Sequence, residues 1–140
     1  MQTFLPWPDF ERSAQALDYR RLGKQRIEAW TIYLALSQPA RGWARHPATE
    51  MWRGFSKALL KYGSVICAEW IERGYRDSMR QRFEAELAKM IEVKLKMPLW
   101  FGDEDFHRAH RSNLIRKASE YYRPQFGEEP DNLPYIWKSG

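Results

Sequence analysis

The sequence predicts an all-α fold, a single compact domain of about 4–6 helices with an extended N-terminus and an apolar C-terminal tail. Three observations predict it. Apolar residues recur at three- and four-residue spacing through most of the chain; no stretch alternates apolar and polar residues over a usable strand length; and capping residues precede the periodic stretches. The 140 residues contain no repeat, low-complexity tract or Ser/Gly linker, so residues 1–140 are taken as one domain. A globule of this size buries about two-thirds of the surface its unfolded chain exposes, enough for a real core.

Taken in order, the extended start gives way at Pro8-Asp9 to a short helix running to about Leu17. Asp18 caps a longer helix in which Leu22, Ala29, Trp30, Tyr33 and Leu36 share a face, ended by Pro39 and Gly42. Residues 41–47 form a loop, and Pro47 suits the first turn of the next helix, because its missing N–H would have no helical partner there. That helix carries Met51, Trp52, Phe55, Leu59, Leu60 and Tyr62 and is expected to run past Gly63 to a stop at Gly74. Asp77-Ser78 opens another, with Met79, Phe83, Leu87, Met90 and Ile91 as its apolar stripe, broken by Pro98. Asp103, Glu104 and Asp105 then favour a helix start through its dipole, and are read as capping rather than metal ligation. The last helix, Phe106 to about Tyr122, is basic, and the tail 133–137 is apolar enough to pack back on the body.

Composition excludes several classes. Hydrophobic residues at 44% and charged residues at 29% are not those of a disordered chain, and the longest apolar run, Trp30 to Leu36, is far short of a membrane span. The first residues lack a basic start followed by an apolar stretch, so a cytoplasmic protein is expected. Cys67 is the only cysteine, which forbids an internal disulfide and a zinc site of paired thiolates. No GxGxxG, Walker or Ser-centred elbow pattern occurs. The net charge of +5 is uneven: residues 1–66 carry 10 basic and 5 acidic side chains, 67–105 carry 7 and 9, 106–123 carry 5 and 1, and 124–140 carry 1 and 3. Two basic segments that meet in the fold would make a face for a polyanion, most often nucleic acid. Aromatic residues at 15% mostly serve a core, and some are available to stack on bases.

Chemistry-bearing residues concentrate on the long N-terminal helix. Arg21, Lys24, Gln25 and Glu28 fall at i, i+3, i+4 and i+7, with Arg20 at the edge of the stripe. A Lys–Glu pair four apart is an ordinary helix ion pair, but several cations on one turn repel each other and favour a bound anion such as phosphate. His46, beside Arg45 in a loop ahead of a helix, is a candidate general acid or base, or simply a capping group. His107 and His110 form HxxH with Arg108 and Arg111 interleaved. With three histidines in total and no suitable thiols, a phosphate-contacting face with His110 and Arg111 is expected in place of a metal site.

The order of these features resembles a family. An extended N-terminus leads into Leu17-Asp18-Tyr19-Arg20-Arg21-Leu22-Gly23-Lys24-Gln25-Arg26-Ile27-Glu28, then a His46-Pro47 loop, then a long helix closing in Glu69-Trp70-Ile71-Glu72-Arg73-Gly74-Tyr75. Over roughly residues 1–77 this resembles the small all-helical pyrimidine-dimer DNA glycosylases of the phage endonuclease V type. It looks closer still to uncharacterised phage and actinobacterial proteins that resemble distant members. The resemblance implies a helical domain that bends duplex DNA and takes a damaged or modified base out of the stack. It implies attack on the sugar C1′ by the N-terminal α-amine, then strand cleavage by β-elimination with a glutamate assisting, without metal or cofactor. An α-amine suits this because it is the least basic ordinary amine and partly neutral at working pH. The family nucleophile is a small second residue exposed when Met is removed; Gln2 is bulky and leaves Met1 in place, which makes Met1 the candidate for the amine. In an ungapped match Arg20 takes the place of the family's DNA-contacting arginine, and Arg21 that of its glutamate. Glu28, about 10 Å further along a helix, is the nearest carboxylate.

The expectation is thus a DNA glycosylase or lyase-like enzyme with Glu28, His46, Lys24 and Met1 as its catalytic candidates. Arg20, Arg21, Lys24, Gln25, Arg45, His110 and Arg111 would hold the nucleic acid. A non-catalytic nucleic-acid-binding protein on the same scaffold, or a small enzyme processing a nucleotide or base, are the alternatives. Salt dependence separates the last from the others, because neutralising several phosphates gives a steep slope and one phosphate a shallow one.

Overall fold

The structure, a computed structural model, describes residues 1–38 and 42–138. Among them are seven helices and no strand: α1 (Phe10–Ala16), α2 (Tyr19–Ser37), α3 (Pro47–Glu50), α4 (Ser56–Glu72), α5 (Arg80–Ala88), α6 (Glu104–Lys117) and α7 (Ser119–Phe126). Asp9 caps α1 by accepting from Arg12 N, and Asp18 caps α2 by accepting from Arg21 N. The expected stop of α2 at Pro39 lies outside the described residues.

Two long helices of the sequence reading are each divided. The helix expected from Pro47 to Gly74 breaks between α3 and α4, where Gly54 takes φ +89° and the chain turns before re-entering a helix at Ser56. The helix expected from Phe106 to Tyr122 breaks at Ala118, whose φ of −153° and ψ of 70° are non-helical. These breaks raise the helix number above the expected range. The helix after Asp77 also ends early, at Ala88, so Ile91 is 78% exposed and leaves the apolar stripe.

Helix α4 is the central element, with α1, α2 and α5 packed on it. Two of its contacts require the smallest residue. A Cβ on Gly63 of α4 would lie 2.2 Å from the Phe83 ring on α5, and one on Gly23 of α2 would lie 2.9 Å from the Trp70 ring on α4. The core is aromatic, built around Trp52, Tyr62, Phe83, Trp100, Phe106 and Tyr122. Their polar ends are paired: Trp100 Nε1 donates to Met51 O and Trp52 Nε1 to Thr3 Oγ1, both at 3.0 Å. The tail returns onto α6, with Leu133 N donating to Ser112 Oγ and Asn113 Nδ2 to Leu133 O, each at 3.0 Å. None of the helices described is long and apolar enough to cross a membrane.

Candidate active site

The extended N-terminus is buried, and a buried chain outside a sheet must find partners for its peptide groups elsewhere. Side chains supply them. Gln25 Nε2 donates to Gln2 O at 2.7 Å, and Phe4 N donates to Gln25 Oε1 at 3.0 Å. The Tyr62 hydroxyl lies 2.6 Å from Gln25 Oε1 and 2.9 Å from Phe4 O, and its single proton is shared between these two acceptors. From α6, His107 Nδ1 donates to Leu5 O at 2.8 Å while His110 Nδ1 accepts from Leu5 N at 2.9 Å, and Arg111 donates to Pro6 O at 2.9 Å. These side chains hold residues 2–6 in a fixed line that delivers Met1 to the surface.

Met1 emerges in a cleft of about 490 Å³. Arg20, Arg21, Lys24 and Glu28 line it from α2, with Gln25 in its floor. His46 lines it from the loop before α3, and Lys117, Tyr135 and Trp137 from the C-terminal part of the chain. The Glu28 carboxylate is half-buried and divided in its contacts. Its Oε2 accepts from Gln25 Nε2 at 2.8 Å, and its Oε1 lies 3.7 Å from the Lys24 ammonium, which is 74% exposed. Arg21 is tied to the capping Asp18 at 3.2 Å, and Asp18 also accepts from the Tyr122 hydroxyl. Burial works against ionisation of Asp18, but these hydrogen bonds and the Arg21 charge outweigh it and hold its carboxyl below the usual value. Arg20 is exposed and donates from Nε to Tyr19 Oη at 3.0 Å.

His46 caps α3 with its side chain, Nδ1 accepting from Ala48 N at 3.0 Å. That bond assigns the neutral tautomer: the proton sits on Nε2, so the ring offers a donor rather than a base. Burial, and then the positive N-terminus, hold its pKa below the usual value, against the opposing pull of Glu28. His46, the α-amine and Glu28 thus share one electrostatic environment. Trp43 and Trp137 flank the imidazole at ring distances of 5.3 and 6.2 Å, and both are more than 40% exposed.

Three residues expected on nucleic acid are instead turned inward and engaged within the protein. His110 is fully buried against the Leu5 backbone, and burial pushes its pKa down to about 3. Arg111 is 4% exposed and bound by Glu104, Glu129 and Pro6 O. Gln25 is 1% exposed, with both ends of its amide engaged inside the protein. The extended N-terminus is the physical reason, since its peptide groups need these polar side chains more than solvent does. Arg45 remains exposed in the loop beside His46 and is not part of the cleft lining. Lys117, Tyr135 and Trp137 were missed; the only signals for them were the basic stretch and the apolar tail. Among the described residues no cluster of three His, Cys, Asp or Glu side chains is placed to hold a metal ion.

A family model described as pyrimidine dimer DNA glycosylase matches residues 1–82. The chain belongs to that family. No curated protein and no solved structure matches it. The region matched to the pyrimidine dimer DNA glycosylases holds Met1, the whole α2 face and His46, the part of the cleft that carries its amine and its carboxylate. Lys117, Tyr135 and Trp137 complete the cleft from outside that region.

Proposed function

We propose that the protein is a DNA glycosylase with associated lyase activity, acting on a damaged or modified base displaced from the duplex into this cleft. One observation carries the reading: the α-amine of Met1, the Glu28 carboxylate and the His46 imidazole open into one cleft rimmed by Arg20, Arg21, Lys24 and Lys117. The cations hold the phosphates on either side of the displaced nucleotide, and the exposed rings of Trp43 and Trp137 offer it a stacking surface. The neutral Met1 amine attacks C1′ of the deoxyribose, the glycosidic bond breaks, and the base departs with its bonding electrons. Opening of the sugar ring gives a Schiff base between Met1 and C1′. Glu28 Oε1 then takes a proton from C2′, and the C3′–oxygen bond breaks. His46 Nε2–H donates to oxygen that gains charge in these steps, which replaces the acid/base role expected of it with that of a donor.

Borohydride trapping on duplexes carrying an abasic site or a thymine dimer, with mass mapping of the adduct, tests this. The expected result is an adduct at Met1, and a Glu28→Gln protein that binds DNA normally but turns over about 100-fold or more slowly. An adduct on Lys24 would move the nucleophile to that side chain. Salt-sensitive binding without an adduct would leave a non-catalytic binding protein or a glycosylase that uses water, and no DNA binding would leave a small nucleotide- or base-processing enzyme.

A further inference from the structure

The most heavily engaged side chain at the cleft is almost wholly buried. Gln25 is 1% exposed, and its amide offers two donors and two acceptor lone pairs. All four are used. Its oxygen accepts from Phe4 N at 3.0 Å and from Tyr62 Oη at 2.6 Å, and its nitrogen donates to Gln2 O at 2.7 Å and to Glu28 Oε2 at 2.8 Å. The partners fix the amide's orientation, since the reverse would set its N–H groups against the Phe4 N–H and its oxygen against a carboxylate.

The two ends therefore do different things. The oxygen anchors the N-terminal segment to the core through Phe4 and Tyr62. The nitrogen ties together two groups: the backbone one residue from the α-amine, and the carboxylate on the next turn of α2. Because one oxygen of Glu28 is occupied in this way, the other is left for the cleft beside Lys24. We propose that Gln25 is a positioning residue, whose NH₂ group sets the Met1 α-amine and the Glu28 carboxylate in register for amine chemistry on DNA. This rests on the function proposed above.

Three substitutions separate the two ends of the amide. Gln25→Leu removes both. Gln25→Glu keeps the acceptor for Phe4 N and Tyr62 Oη but loses the donors to Gln2 O and Glu28. Tyr62→Phe loosens the acceptor side and leaves the donors in place. Each protein is followed by single-turnover borohydride trapping on abasic duplex, by the DNA concentration giving half-maximal rate, and by the ¹H–¹⁵N NOE of the Gln2 and Thr3 amides. The expected result is a trapping rate lower on the order of 100-fold in both Gln25 variants, as for a misplaced reacting group. The half-saturating DNA concentration stays unchanged, the Gln2 amide loses order, and Tyr62→Phe stays near the wild-type rate. A Gln25→Glu protein that traps DNA at the wild-type rate with an ordered Gln2 overturns the inference, as does a Tyr62→Phe protein as slow as the Gln25 variants. If the wild-type protein forms no adduct, the proposed function fails. The placing of the N-terminus by Gln25 is then judged on the order of Gln2 in Gln25→Glu, which does not depend on turnover.

Discussion

Arg111 and Lys24 show how two cations of similar promise on paper differ in the fold. Arg111 is enclosed by Glu104, Glu129 and the Pro6 carbonyl, whereas Lys24 stands largely in solvent with Glu28 3.7 Å away. Arg111→Ala strips a buried carbonyl of its donor and takes from Glu129 one of two arginine partners, Arg108 remaining at 3.2 Å. It is expected to cost about 2–3 kcal/mol of stability by denaturant titration, with the salt slope of DNA binding unchanged. Lys24→Ala loses an exposed ion pair worth a few tenths of a kcal/mol, and is expected to leave stability intact while lowering that slope by about one. A salt slope that falls for Arg111→Ala and not for Lys24→Ala would reverse these assignments.

Among the elements, α4 sets the geometry of the rest through its closest approaches. Gly63 lets the Phe83 ring lie directly on the α4 backbone, with 2.2 Å between that ring and the position a Cβ would take. Helix propensity alone favours Gly63→Ala by nearly 1 kcal/mol. The contact decides otherwise, because Phe83 is fully buried among core residues and has no free space to move into. Gly63→Ala is therefore expected to lower unfolding free energy by about 2 kcal/mol, with unchanged affinity for DNA, since neither Gly63 nor Phe83 lines the cleft. A more stable Gly63→Ala protein would show that α4 and α5 lie further apart than this.

For the chain as a whole, the fold closes around its own N-terminus, and the two histidines that hold it there are expected to make that closure sensitive to acid. His107 donates to Leu5 O while its Nε2 accepts from Gly102 N at 2.9 Å, so the ring is neutral. His110 accepts from Leu5 N and must be neutral too. Burial holds both pKa values below the usual 6.5, that of His110 at about 3. A depressed folded pKa means that the unfolded chain binds protons first as the pH falls. The stability from this pair is complete above about pH 6.5 and is lost progressively below it, towards pH 3. Melting temperatures between pH 7 and pH 4 check this, and a His110→Gln protein, whose side chain does not charge, should show a shallower decline. Equal slopes would remove His110 from the acid response.

Legible in the sequence were the helical class, the caps at Asp9, Asp18 and Asp103, the turn at Gly74, and the face on which Arg21, Lys24 and Glu28 stand together. These are local properties: spacing at the helical period, a side-chain acceptor at a helix start, and a glycine with positive φ. Its family was legible as well, from the order of motifs in the first half of the chain. The fate of polar residues that look alike in sequence depends instead on how the helices and the termini pack together. Gln25 follows Lys24 directly, yet one is buried and the other solvated. Their difference depends on the extended N-terminus crossing α2 at Gln25 and bringing peptide groups that need partners. The same demand draws His110 and Arg111 inward, and the return of the tail brings Trp137 from more than ninety residues away to the ring of His46. Such pairings are set by long-range packing, for which no helical spacing is a signal.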